Sequence, residues 1–126
     1  PLFGLWPYDH LIKVIGKNTA TEADVQAYAI EAVRQIRKED FLTIWRAVTL
    51  AIDHVGRPGF TFDVPLLLLH GDHDRTGTIR RDMPIWAKSE PMAVYQVIPH
   101  AGHNANQDNP TFTNQAILGF LQQTLA

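Results

Sequence analysis

Apolar positions along this chain change their period near its middle. Val25, Tyr28, Ala29, Ala32, Val33 and Ile36 recur three and four residues apart, which predicts an amphipathic helix. Thr21-Glu22-Ala23-Asp24 supplies its start, an N-cap with an acidic residue three positions on. Arg34, Arg37 and Lys38 fall in its last turns, where cations suit the helix dipole. A second helix follows, with Asp40 as N-cap and Phe41, Ile44, Trp45, Val48, Ile52 and Val55 on its stripe. Gly56 and Pro58-Gly59 end it. Trp45 reads as core in preference to a ligand platform. Asp53 and His54 are adjacent on that helix, point to different sides and do not form a pair.

The segment ahead of these helices, residues 1–17, is mixed. Leu2, Phe3, Leu5, Trp6 and Tyr8 are apolar or aromatic, but Gly4 and Pro7 interrupt any regular element. Trp6 and Tyr8 read either as pocket-lining residues or as residues packed against the neighbouring helices, and the packing role is the one expected.

Beyond Pro58-Gly59 the pattern changes. Leu66-Leu67-Leu68-Leu69 is a continuous apolar run, as in a strand buried on both faces of a parallel sheet. It stops at His70-Gly71-Asp72-His73-Asp74. A helix is predicted from Thr78 through Ile79, Met83, Trp86 and Ala87 to Glu90-Pro91, kinked or started late by Pro84. Val94 to Ile98 is the second strand, and Ala101-Gly102-His103-Asn104 is a turn. Asn109-Pro110 caps a last helix carrying Phe112, Ala116, Ile117, Phe120, Leu121 and Leu125. Strand, helix, strand, helix predicts a right-handed crossover and a parallel pair, hence an α/β class.

Composition narrows the function. Eleven basic against thirteen acidic residues give a net charge of −2, so there is no basic footprint for nucleic acid. No apolar run reaches membrane-spanning length. Cysteine is absent, which removes disulfides, thiolate metal sites and a cysteine nucleophile. It also fits a reducing compartment, and the cytoplasm is the expected location. The chain opens on Pro1 rather than Met, so it is expected to start after processing or inside a longer protein.

Loops past the carboxyl ends of parallel strands are where open α/β sheets place their chemistry. Asp74 and His103 both fall there. A carboxylate that takes a hydrogen bond from one imidazole nitrogen leaves the other as a base. Other chemistries use the same stretch. His70, Asp72, His73 and Asp74 are all potential metal ligands, though no spaced set of further ligands accompanies them. His73 and His100 otherwise read as solvated turn residues, and Asp72 as a turn-capping carboxylate. Arg75, Arg80 and Arg81 read as a solvated helix face or as an anion-binding group. A non-catalytic binding module on an α/β scaffold is the reading from another class.

Val64-Pro65-Leu66-Leu67-Leu68-Leu69-His70-Gly71-Asp72-His73-Asp74, followed by Ile98-Pro99-His100-Ala101-Gly102-His103, resembles the carboxyl-terminal part of the α/β-hydrolase superfamily. The resemblance covers residues 64–121, and Asn109-Pro110 before the closing helix shares it. It implies that Asp74 is the triad acid and His103 the triad base. It implies that residues 1–63 are a helical cap or lid and residues 64–126 the last two β-α units of the core. It also implies a serine nucleophile in a Gly-x-Ser-x-Gly elbow upstream of both. The one serine here is Ser89, in Lys88-Ser89-Glu90, downstream of Asp74 and without flanking glycines. The oxyanion-hole loop is upstream in the family too. The expectation is therefore the carboxyl-terminal portion of a serine-type hydrolase of small esters or acyl compounds. No cofactor, nucleic acid or membrane partner is expected, and the chain alone is expected to be inactive. Its first strand would normally have a further neighbour, so a homodimer through that strand edge or the cap surface is expected.

Overall fold

A computed structural model of the chain describes residues 2–52 and 61–125. A 3-10 turn at Leu2–Leu5 leads into three helices, α1 (Tyr8–Thr19), α2 (Ala23–Arg34) and α3 (Lys38–Ile52). Then follow β1 (Leu66–Gly71), α4 (Ile79–Ser89), β2 (Ala93–Ile98), α5 (Ala105–Asp108) and α6 (Pro110–Leu125). The described residues thus form a mixed α/β arrangement of six helices and one sheet of two parallel strands. None of these helices is long and apolar enough to cross a membrane. Asp53, His54, Val55 and the expected break at Gly56 and Pro58-Gly59 lie outside the described residues.

The front of the chain differs from expectation. Residues 8–19 form a full helix, because Pro7 stands at its N-cap position, where a missing N–H costs nothing. Leu11 and Ile12 are buried on its inner side, Ile12 completely. Gly16 lets α2 approach closely: a Cβ there would meet Ile30 Cγ1 at 2.5 Å and the Gln26 carbonyl oxygen at 2.9 Å. Tyr8 packs as expected, its hydroxyl donating to the carbonyls of Val33 (3.0 Å) and Ile36 (2.7 Å). Its neighbour Trp6 does not stay in a core; it is 40% exposed and edges onto His10.

The second helix begins one residue later than an N-cap at Thr21 implies and ends at Arg34, so Arg37 and Lys38 lie beyond it. Thr21 makes no cap bond to α2; its hydroxyl donates to the His100 carbonyl at 2.8 Å. Of the predicted stripe, Val25 and Ala29 are buried, whereas Tyr28 is exposed. In α3 the helix starts at Lys38, ahead of Asp40, which pairs with Arg37 instead. Ile44, Trp45 and Val48 are exposed, so this stripe is not core in the described residues.

The rear half follows the predicted order. Parallel register runs from Leu66 opposite Ala93 to Gly71 opposite Ile98. Alternation puts Leu67, Leu69 and Gly71 on one face with Val94, Gln96 and Ile98. There Ile98, Ala101 and Ala105 form a buried cluster, joined by Leu69 and Phe112 of α6. Of the remaining α6 stripe, Ala116 is buried while Ile117, Leu121 and Leu125 are exposed. Among the described residues, β1 has a strand partner on one edge only. The helix after β1 runs continuously through Pro84 from Ile79 to Ser89, neither delayed nor ended by the proline. Asn109 caps α6 as predicted, its Oδ1 accepting the Phe112 N–H at 3.1 Å.

Candidate active site

The two strand ends bring the predicted pair together. β1 and β2 stop side by side at Gly71 and Ile98, and each chain turns out of the sheet there. Asp72 N–H donates to the Ile98 carbonyl (3.0 Å) and His73 N–H to the Ala101 carbonyl (2.9 Å), so the two loops are zipped beyond the strands. Gly71 makes this approach possible. A Cβ at that position would be driven into the carbonyl oxygens of Ala101 and Gly102, and would lie 2.5 Å from the Ala101 carbonyl carbon.

Asp74 is buried, its side chain 3% exposed, and both its oxygens are used. Oδ1 accepts the Thr76 N–H at 2.7 Å, closing a tight turn. Oδ2 accepts Nδ1–H of His103 at 3.0 Å. The carboxylate fixes the proton on Nδ1 and leaves Nε2 with its lone pair. His103, at 39% exposed, lines a cavity of about 430 Å³.

The cavity is formed between this loop and the front helices. Its walls include Trp6, Val14 and Ile15 from the front, and Phe41 and Trp45 from α3. Trp45, read from sequence as core, thus faces the cavity that holds His103. Polar groups on the lining include Asn18, Arg75 and two threonines. Thr19 Oγ1 is committed to the Ile15 and Gly16 carbonyls. Thr76 is held through its backbone by Asp74.

One further residue organises the site and was not singled out from sequence. The Asp108 carboxylate accepts the backbone N–H groups of Gly102 (2.7 Å), Thr21 (3.0 Å) and Glu22 (3.1 Å). It therefore clamps the His103 loop to the start of α2. Asn104 N–H adds a bond to the Thr19 carbonyl at 2.7 Å. Asp108 thus holds the two residues just ahead of α2, Thr21 and Glu22, rather than the N–H groups of its first turn. Thr21 and Glu22 lie 87 and 86 residues away in the chain, beyond any local motif.

The other candidates take separate roles. His70 is buried, donating from Nδ1 to its neighbouring Gly71 carbonyl (2.8 Å) and accepting from the Tyr95 hydroxyl at Nε2 (2.6 Å). Burial pushes the Tyr95 hydroxyl above its usual pKa. His73 donates from Nδ1 to Asp72 Oδ1 at 2.6 Å and stacks on His100. Asp72 Oδ1 also accepts the Ala101 N–H at 3.0 Å. Its partial burial acts to raise its pKa, but the hydrogen bonds from His73, Ala101 and His100 together outweigh that and hold it down at about 2. Of the four residues His70, Asp72, His73 and Asp74, Asp72 and His73 bond to each other, while His70 and Asp74 are engaged separately by Gly71 and Tyr95 and by Thr76 and His103. Among the described residues, no group of three or more such side chains could hold a metal ion. Arg81 pairs with Asp82, while Arg75 lies on the cavity. Ser89, at the end of α4, donates its hydroxyl to the Trp86 carbonyl at 2.8 Å.

Comparison with known proteins returns nothing: no family model, no curated protein and no solved structure matches this chain.

Proposed function

We propose that this chain carries the acid and base of a serine-type α/β hydrolase acting on small esters or acyl compounds. The observation that carries the reading is the 3.0 Å contact between Asp74 Oδ2 and His103 Nδ1 at a cavity wall. In this role His103 Nε2 takes the proton from an attacking hydroxyl and returns it to the leaving group. Buried Asp74 keeps the imidazole in one tautomer and stabilises the imidazolium that forms. The helices of residues 1–63 act as a cap, supplying the apolar wall of Trp6, Phe41 and Trp45 over the base. The nucleophile and the oxyanion-binding amides come from a companion segment that precedes the acid in the chain order of this superfamily. Ser89 is not that nucleophile, since its hydroxyl is turned back onto its own helix.

The test is activity-based labelling. A protein that joins this chain to its companion segment should react with a fluorophosphonate at a serine in a Gly-x-Ser-x-Gly turn and hydrolyse p-nitrophenyl butyrate. His103→Gln should abolish both, and this chain alone should stay unlabelled. Labelling that survives His103→Gln at full rate, or stoichiometric labelling of Ser89, would overturn the assignment.

A further inference from the structure

The cavity beside His103 has a marked chemical asymmetry. Its walls are largely aromatic and branched aliphatic side chains, among them Trp6, Val14, Phe41 and Trp45. Among the described residues, none of those lining it is acidic. The cation on its lining is Arg75, the residue directly after Asp74. Among the described residues Arg75 has no ion-pair partner, whereas Arg34, Arg37 and Arg81 each pair with a nearby acid on the surface. Asp74 forms no ion pair with it; its two oxygens accept from Thr76 and His103.

An unpaired guanidinium beside an apolar cavity is matched best by a planar anion, which it can hold with two parallel hydrogen bonds. The apolar wall meanwhile favours an aromatic or branched hydrocarbon body. From this we infer that the cavity binds compounds with an apolar body and a carboxylate, and that Arg75 selects the carboxylate. The inference rests on the hydrolase reading for its catalytic meaning, the substrate then being an acyl compound with a second, anionic group. Its binding content does not depend on turnover.

The experiment titrates this chain with 4-phenylbutyrate and with its neutral isostere 4-phenylbutanamide, read by the amide, indole and arginine Nε–H signals in heteronuclear NMR. A charge-assisted pair predicts roughly tenfold or greater preference for the acid. Arg75→Gln should bring the preference to about one, with Arg75→Lys intermediate; Arg75 is exposed, and unchanged amide spectra elsewhere report an intact fold. The preference should persist in His103→Gln, which separates Arg75 from the imidazole as its source. Equal affinity for acid and amide, no saturable binding of either, or a preference that survives Arg75→Gln would each overturn the inference. Hydrolysis is scored separately. Acid preference without hydrolysis by the assembled enzyme leaves the anion site standing and removes the hydrolase reading. Hydrolysis without acid preference removes the anion site alone.

Discussion

Gly71 and Ala101 touch where the two strands end, so closely that no side chain fits between them. The contact lets His73 N–H reach the Ala101 carbonyl and lets Asp74 and His103 meet across it. Gly71→Ala should therefore do more than remove backbone freedom. The added methyl meets backbone atoms, which cannot rotate away, and separation of the loops is the only relief. Loss of more than about 3 kcal/mol in a urea titration is expected. A loss below about 1 kcal/mol would show that the loops yield easily, and would weaken the view that they form a rigid frame.

The dyad makes a prediction that needs no turnover. In Asp74→Asn the side-chain amide offers one acceptor and one donor where the carboxylate offered two acceptors. If its oxygen keeps the Thr76 N–H, its NH₂ faces His103 Nδ1, which must then accept. The neutral imidazole should switch its proton from Nδ1 to Nε2, read directly by ¹⁵N chemical shifts. In the assembled enzyme the same change should lower turnover by on the order of 10⁴. An unchanged tautomer together with near-normal turnover would count against the assigned roles.

These two predictions concern the part of the molecule that the sequence makes legible. Leu66–Leu69 and Val94–Ile98 are apolar runs with Gly-containing turns just beyond, so their pairing and the Asp74–His103 encounter follow from local signals. Asn109-Pro110 is equally local, and it caps α6 as its residue types dictate. The helix α1 was hidden because Pro7 reads as a breaker unless its place at the N-cap is known. Helix α4 absorbs Pro84, which sits in its interior. Trp45 was assigned to a core because a periodic aromatic on a helix normally packs inward. In the structure the neighbouring surface is a cavity wall, and periodicity cannot tell the two apart. Thr21 reads as an N-cap by residue type, yet its hydroxyl bonds to the His100 carbonyl and its N–H to a tertiary partner, Asp108. Such a partner leaves no trace at short range.

Asp108 is accordingly a positioning residue with a measurable effect. Asp108→Ala leaves three backbone N–H groups without their acceptor, one of them in the His103 loop. Hydrogen bonds to a charged acceptor predict a loss of about 2 kcal/mol. Asp108→Asn, with a single amide oxygen, should recover only part of it. A purely structural cap would lower stability alone. Asp108 should also loosen the loop, so His103 ring signals should broaden in Asp108→Ala under conditions where the fold is still fully populated. Sharp, unshifted His103 signals would confine its role to holding the segment ahead of α2.

Acid should act on this site first through Asp72. Its folded pKa of about 2 lies below the ordinary 3.8 of an aspartate, because His73 and the backbone of Ala101 and His100 donate to it. A group whose pKa is depressed by folding binds its proton more readily in the unfolded chain. Its stabilising contribution is therefore fully present above pH about 4 and is lost as pH falls toward about 2. With the side chain 34% exposed, solvent screens part of this effect, so the slope rather than a large total loss is the signature. Wild-type stability should fall across that window more steeply than that of Asp72→Asn, whose side chain does not titrate. At pH 7 the variant should be the less stable of the two, since its amide oxygen is a weaker acceptor for His73 and Ala101 than the carboxylate. Urea midpoints measured from pH 7 to pH 2 decide it: parallel acid limbs would show that another carboxylate governs the acid sensitivity of the loop.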